Sequence, residues 1–255
     1  MTPWLRNAVW VGTWLVAAIA VAQATAGAER GRASTIAAVA RLGLPVYCGG
    51  KSRPDVALTF DDGPGPYSGL VVRLLQRAHA QATFFLVGKE LARWPEIPDA
   101  ERKVGALGDH SWSHILLPGL AVKALREQLT STKTAIARET GVPVQLFRPP
   151  YGAHDRATDE VARALGLADI LWSIDSRDSE GAPWYEIVSN VDDSLRPGSI
   201  VLMHENHGQT IRALKYGILP YLRVHHLRAV TVPELLAADP PTRRQLRRGL
   251  AACLS

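Results

Sequence analysis

At 255 residues, with 47% hydrophobic and 21% charged residues, the chain is long enough for one large domain with a sizeable core. Its formal charge of +5 is a mild excess, part of it from Arg243, Arg244, Arg247 and Arg248 near the C-terminus. That basic end is compatible with contact to an anionic cell wall, but nothing else supports nucleic-acid binding, and no internal apolar run is long enough to span a membrane.

The N-terminal segment reads as a leader. Arg6 precedes an apolar run from Ala8 to Ala22, and small residues follow in Ala22-Gln23-Ala24 and Ala24-Thr25-Ala26. A positive start, a short apolar core and a small-residue cleavage site match a secretory signal. Extended through Gly27, the same run just spans a bilayer as an anchor. Residues 1–28 are therefore expected to be a signal peptide or N-terminal membrane anchor, and the protein to be secreted or held at the cell surface. Cys48 and Cys253 are the two cysteines. An oxidising compartment permits a disulfide and domain ends often lie close together, so a Cys48–Cys253 bridge is expected, with two separate thiols as the alternative.

Short apolar runs, rich in β-branched and aromatic residues, predict buried strands at Val56–Phe60, Thr83–Val87, Val104–Gly108, Val144–Phe147, Asp169–Ser173, Ile200–His204 and Arg228–Val232. Helical patterns lie between them. Val122, Leu125, Leu129, Thr132 and Ile136 form one stripe, which Gly141 and Pro143 should end. Val161 and Leu165 follow Asp155 and Asp159, with Gly166 closing that helix, and Ile187, Val191 and Leu195 precede Pro197-Gly198. Alternating strands and helices predict a parallel α/β architecture, and this many strands suit a distorted, incomplete barrel. In such folds the chemistry collects at the C-terminal ends of the strands.

Polar clusters do follow the apolar runs. Thr59-Phe60-Asp61-Asp62-Gly63-Pro64 sets two adjacent carboxylates at a strand end. Their repulsion calls for compensation, which a metal ion provides while leaving one carboxylate free as a general base. His110-Ser111-Trp112-Ser113-His114 places histidines at i and i+4, expected to face one way on a helical turn. With Asp62 they offer two nitrogens and one oxygen, the ligand count of a hydrolytic zinc site with positions left for water and substrate. An isolated pair of this kind is as readily a surface feature. Arg148-Pro149-Pro150-Tyr151-Gly152 is stiffened by its prolines and suited to holding Arg148 against a carboxylate and a backbone N–H toward an oxyanion. Asp175-Ser176-Arg177-Asp178 comes next, and Leu202-Met203-His204 ends a strand. A histidine there, held protonated by an aspartate, suits a general acid.

In order and spacing these segments resemble the NodB-homology polysaccharide deacetylases, carbohydrate esterase family four. The family's Thr-Phe-Asp-Asp-Gly, His-Ser/Thr-x-x-His, Arg-x-Pro-Tyr and Leu-x-His motifs stand at Thr59–Gly63, His110–His114, Arg148–Tyr151 and Leu202–His204, and the similarity runs roughly from Val46 to Glu234. The resemblance implies a distorted (β/α)7-type barrel, with a polysaccharide deacetylase domain over residues 45–238 and a basic tail over 239–255. It also implies roles. Asp61 would be the base; Asp62, His110 and His114 the metal ligands; Arg148 the group orienting Asp61. The N–H of Tyr151 would help stabilise the oxyanion, Leu202 would line the acetyl pocket, and His204, tuned by Asp178, would be the acid. The metal would be divalent, zinc by ligand type, with cobalt or nickel as alternatives.

The implied activity is removal of acetyl groups from an N-acetylated polysaccharide or oligosaccharide, of chitooligosaccharide or peptidoglycan type; a monomer is the default expectation for the assembly. An O-acetyl (xylan-type) esterase and a catalytically impaired carbohydrate-binding relative are the alternatives. The family's tryptophan after the second aspartate of its Asp-x-x-Asp-Trp motif is Ser179 here, with Trp184 or Trp112 as candidate replacements. His79, His154, His207, His225 and His226 read as structural or exposed, although His207 is close enough in sequence to meet substrate. Trp94, Trp172 and Tyr67 are candidates for stacking on sugar rings, with a buried core position the stronger reading for Trp172.

Overall fold

The computed structural model describes residue 23 and residues 25–254. After a helix over residues 25–42 (α1), the first strand, β1, covers Asp55–Gly63. Its side chains alternate between two faces. Val56, Leu58 and Phe60 belong to the outer core, whereas Ala57 belongs to the inner one. The same alternation puts Thr59 and Asp61 on the inner side. Helix α2 (Ser68–Ala78) leads to β2 (Ala82–Leu86), α3 (Ile97–Arg102) to β3 (Gly105–Asp109), and α4 (Val122–Thr140) to β4 (Leu146–Phe147). Then come α5 (Arg156–Ala164), β5 (Ala168–Asp169), β6 (Ile174–Asp175), α6 (Trp184–Asp192) and β7 (Ile200–His204). Two short helices, α7 (Gly208–Ala213) and α8 (Leu219–Val224), precede β8 (Arg228–Ala229). The chain ends in α9 (Val232–Ala238), α10 (Arg243–Arg248) and α11 (Ala251–Leu254).

All strand pairs are parallel, in the order β5-β4-β3-β2-β1-β7-β6, with β8 also pairing with β1. This is the curled, barrel-like α/β sheet that the alternation of elements predicts. Phe60, Phe84, Val201 and Met203 meet the helices on the outer side. The inner cluster joins Ala57, Phe85, Leu146 and Ile200 to Ile36, Val39 and Ala40 of α1, to Val232, Leu235 and Leu236 of α9, and to Leu246 of α10. The folded unit is therefore wider than residues 45–238: α1 and α10 both contribute buried side chains. The expected leader, 1–28, lies largely outside the described residues. Among those residues, no helix is long and apolar enough to cross a membrane.

Three predicted elements need correction. The strand expected over Arg228–Val232 stops at Ala229, and Val232 opens α9 behind the Thr231 cap. The run Asp169–Ser173 is not one strand; β5 stops at Asp169 and β6 starts at Ile174. In between, the Ile170 and Leu171 carbonyls accept from Arg148, and the Leu171 N–H donates to Val46. The backbone there serves side-chain and terminal-segment bonds rather than one ladder. Val122 also opens α4 facing solvent, at 56% exposure, whereas Leu125, Leu129, Thr132 and Ile136 are buried as the stripe predicts. Gly141 caps that helix at φ 72°, a left-handed conformation that glycine adopts without strain. Cys48 and Cys253 are bonded, with Cα atoms 5.9 Å apart, so the bridge rather than two thiols is found.

Candidate active site

The site lies at the C-terminal ends of β1, β3 and β7. Parallel pairing sets Asp61 of β1 directly opposite His204 of β7 and places Asp109 opposite Leu86 at the end of β2. Acid and base candidates thus sit on neighbouring strands at one sheet edge.

Asp61 is buried, and Arg148 Nη1 donates to its Oδ1 over 2.7 Å. The guanidinium is wholly buried. It also donates to Thr59 Oγ1, to the Ile170 carbonyl and to the Leu171 carbonyl, and it lies 4.2 Å above the Phe85 ring. Four oxygen partners satisfy a charge that would otherwise be very costly inside the barrel. Burial lowers the Arg148 pKa, and Asp61 opposes that effect.

Asp62 adopts φ 68°, and its carboxylate faces the two histidines. Its Oδ1 is 3.6 Å from His110 Nε2 and 3.1 Å from His114 Nε2. Burial would raise this carboxyl, but the contact with His114 and the charges of His110, His114 and His204 hold it well below the usual carboxylate range. His110 Nδ1 is 2.8 Å from the Arg148 carbonyl. A carbonyl only accepts, so Nδ1 carries the proton and Nε2 keeps its lone pair for the site. Burial pushes the His110 pKa down, which favours that neutral form. His114 meets the Tyr151 ring edge-on at 4.8 Å.

Ligand atoms of Asp62, His110 and His114 lie within 4.8 Å of one another, and Asp62 Oδ1 is buried without a well-formed hydrogen bond. An orphaned carboxylate oxygen facing two imidazole nitrogens fits a divalent cation that accepts both N and O donors.

The histidines do not share a helical turn. Residues 110–117 form a loop in which Ser111 and His114 take positive φ of 64° and 54°. Asp109 Oδ1 accepts from the Ser111 N–H, and Gln128 Oε1, reaching over from α4, accepts from the N–H groups of Trp112 and Ser113. Sequence reasoning missed Asp109 and Gln128. The available signal for Asp109 was an aspartate immediately before the histidine pair, but Gln128 looks like any solvated helix residue.

His204 Nδ1 is 2.7 Å from Asp178 Oδ1, while Asp178 Oδ2 accepts from the His204 N–H and from Thr210 Oγ1. Burial alone would lower the His204 pKa, but the Asp178 bond and the charges of Asp178, Asp61 and Asp62 raise it to about 9. The Asp178 carboxyl is held down: burial opposes this, and His204 and Thr210 outweigh it. Leu202 is buried on the same strand and pairs with Thr59. Behind this edge, Glu205 and Glu101 are wholly buried, and burial together with mutual repulsion raises the Glu101 carboxyl well above its ordinary range. Glu101 carried no signal in the sequence, whereas Glu205 directly follows the Leu202–His204 motif.

An open groove beside Asp62 and His114 is lined by Pro64, Lys89, Arg93, Trp94 and Asn206. Trp94 therefore stands at the site, whereas Tyr67 packs near Gly208 and half-buried Trp172 lies against Gly152 and Arg148. Trp184 meets Tyr185, Tyr216 and Arg212, and Trp112 lies against Gly88. Ser179 sits in the turn Asp178–Glu180. Of the remaining histidines, His207 meets the His204 ring at 6.1 Å, His225 stacks on Tyr221, and His79 and His226 take left-handed turns. His154 pairs with Asp159.

Comparison with known proteins gives the same reading. The polysaccharide deacetylase family profile matches residues 49–170. A peptidoglycan-N-acetylglucosamine deacetylase of Bacillus cereus is 35% identical over 188 residues, spanning 71% of this chain and 87% of the relative. A chitooligosaccharide deacetylase of Azorhizobium caulinodans is 30% identical over 190 residues, covering 68% and 90% of the two chains. A solved family 4 carbohydrate esterase from Streptomyces lividans, in complex with acetate, superposes with a TM-score of 0.67 at 29% identity, covering 74% of this chain and 96% of that one. With strand-end carboxylates and imidazoles in that family's order and a sheet of that shape, the chain belongs to the polysaccharide deacetylases of carbohydrate esterase family four.

Proposed function

We propose that this chain hydrolyses the acetamide of N-acetylated sugars in peptidoglycan- or chitooligosaccharide-type chains. The single observation that supports this most is the opposition of Asp61 and His204 across β1 and β7, with the Asp62/His110/His114 cluster beside them. Asp62, His110 and His114 would hold a divalent cation, zinc by donor type, which when bound supplies Lewis-acid polarisation of the acetyl carbonyl.

The protein's own groups do the rest. Asp61, fixed by Arg148 and unable to rotate away, takes a proton from the attacking water. The water oxygen forms a bond to the acetyl carbon, and the N–H of Tyr151, whose ring meets His114 edge-on, would stabilise charge on the carbonyl oxygen. His204 carries a proton near neutral pH, because its pKa is raised to about 9, and passes it to the sugar nitrogen as the C–N bond breaks. Acetic acid, which loses its proton to solvent as acetate, and a free amine leave, and the proton on Asp61 passes through solvent to His204, which resets the pair. The buried Asp178 carboxylate aims the His204 ring by two bonds at once, to Nδ1 and to the backbone N–H.

Side-by-side assays on N-acetylglucosamine oligomers and on acetylated xylan test the bond assignment. Acetate released faster from the amide substrate is expected; release from the ester alone would replace this reading with an esterase.

A further inference from the structure

Away from the active site, a second group of donors converges where β5 ends. Ligand atoms of His154, Asp159 and Asp169 lie within 4.8 Å of one another. They come from separate elements: His154 from the segment after the Arg148–Tyr151 loop, Asp159 from α5, and Asp169 from the last position of β5. His154 Nδ1 is 3.0 Å from Asp159 Oδ1. Asp169 is only 7% exposed, yet both its carboxylate oxygens are buried without a hydrogen-bond partner. A carboxylate in that position is costly unless it is neutralised or meets a cation. Burial and the nearby Asp159 charge push its carboxyl well above the ordinary range, with Arg148 offsetting only part of this. The neighbouring Tyr47 hydroxyl registers the same negative field, since after burial Asp169 and Asp159 are what raise its pKa. One side of the group is open, because His154 and Asp159 line a surface hollow together with Asp155, Glu160 and Arg163.

We propose that His154, Asp159 and Asp169 form a second, structural site for a divalent cation of the zinc class, separate from the Asp62/His110/His114 cluster. One imidazole nitrogen and two carboxylate oxygens are the donor types such a cation accepts, and two of the three residues are reachable from solvent for its entry. A cation there takes the place of the His154–Asp159 hydrogen bond and gives Asp169 its missing partner. It also ties three elements together. His154 lies three residues after Tyr151, and the Asp169 backbone pairs with Phe147, the residue before Arg148. Both ends of the Arg148–Tyr151 loop are thereby held.

The test is the zinc stoichiometry of the metal-stripped full-length chain, titrated with zinc and read by elemental analysis after removal of free metal. Cobalt(II) absorption provides a second readout of the same sites. Wild type is expected to bind two equivalents. His154→Ala and Asp159→Asn are both partly exposed and so replaceable without opening the core, and each should bind one. His110→Ala/His114→Ala should also bind one, now at this second site, and His110→Ala/His114→Ala/His154→Ala none. One equivalent in wild type that His110→Ala/His114→Ala abolishes, or two retained in both His154→Ala and Asp159→Asn, overturns the proposal and leaves Asp169 as a protonated buried acid. Because the His110→Ala/His114→Ala variant reports on the second site alone, failure of the active-site reading and failure of this one give different stoichiometries.

Discussion

Arg148 has no exposed surface, and its guanidinium reaches Asp61, Thr59 and two carbonyls of the segment after β5. A lysine would keep the charge but not the fork that serves all four. Arg148→Met strands Asp61 as an uncompensated buried carboxylate, and about 3–5 kcal/mol of stability should be lost in denaturant unfolding; a loss below about 1 kcal/mol would contradict the role given to this pair. His204 is the second test at this scale. In metal-stripped protein its ring should titrate near the raised value of about 9, and Asp178→Asn should move that titration down, because the largest upward contributions come from Asp178. A histidine whose pKa is raised by folding stabilises the fold fully below its unfolded value, about 6.5, and loses that contribution as pH rises through about 9. An NMR titration of the ring decides the matter; an identical midpoint in wild type and Asp178→Asn would remove Asp178 as the group that tunes it.

At the scale of elements, the loop of residues 110–117 depends on α4. Gln128 Oε1 accepts from two loop N–H groups and Asp109 Oδ1 from a third. Gln128→Ala loosens the backbone between His110 and His114 rather than a ligand itself, so it should weaken zinc binding toward the low end of the ~10–100-fold seen for direct outer partners, measured by competition with a chromogenic chelator. Unchanged affinity would show that the loop holds its shape without α4. This is also where sequence and structure part. The α4 stripe and its end at Gly141 were readable because a periodic apolar face and a glycine cap are local properties. The strand-end position of Asp61, Asp62 and His204 was readable for the same reason, since each follows an apolar run. The histidine pair converges by another route than the expected helical turn: positive φ at Ser111 and His114, imposed by tertiary hydrogen bonds, leaves no periodic trace. The break between β5 and β6 was hidden in the same way, because the bonds that Arg148 and Val46 make to this backbone are long-range and leave no local pattern. Glu101 in α3 looks like an ordinary charged helix residue until the fold buries it against Glu205.

Across the whole molecule, the two ends of the described fold are fastened to one body. Helix α1 lends Ile36, Val39 and Ala40 to the inner core, α10 lends Leu246, and the Cys48–Cys253 bond joins positions 205 residues apart. Closing so long a loop restricts mainly the unfolded chain, so Cys48→Ala/Cys253→Ala should cost about 2–5 kcal/mol in unfolding while leaving the strand-end site assembled. The denatured, unreduced protein should show no free thiol on titration, and two thiols would contradict the bridge. The tethering also explains how a basic C-terminal segment becomes part of the domain: Arg243, Arg244, Arg247 and Arg248 border one surface groove on the helix that Leu246 anchors.

In the proposed reaction the Asp62/His110/His114 cluster and the Asp61–His204 pair act together on an acetamide. Acetate release from N-acetylated chitooligosaccharides, by protein stripped with a chelator and then reloaded with zinc, tests this most directly. Activity should disappear on stripping, return with zinc, and stay absent in zinc-loaded Asp61→Asn. Full activity in the stripped protein, or in Asp61→Asn, would contradict it.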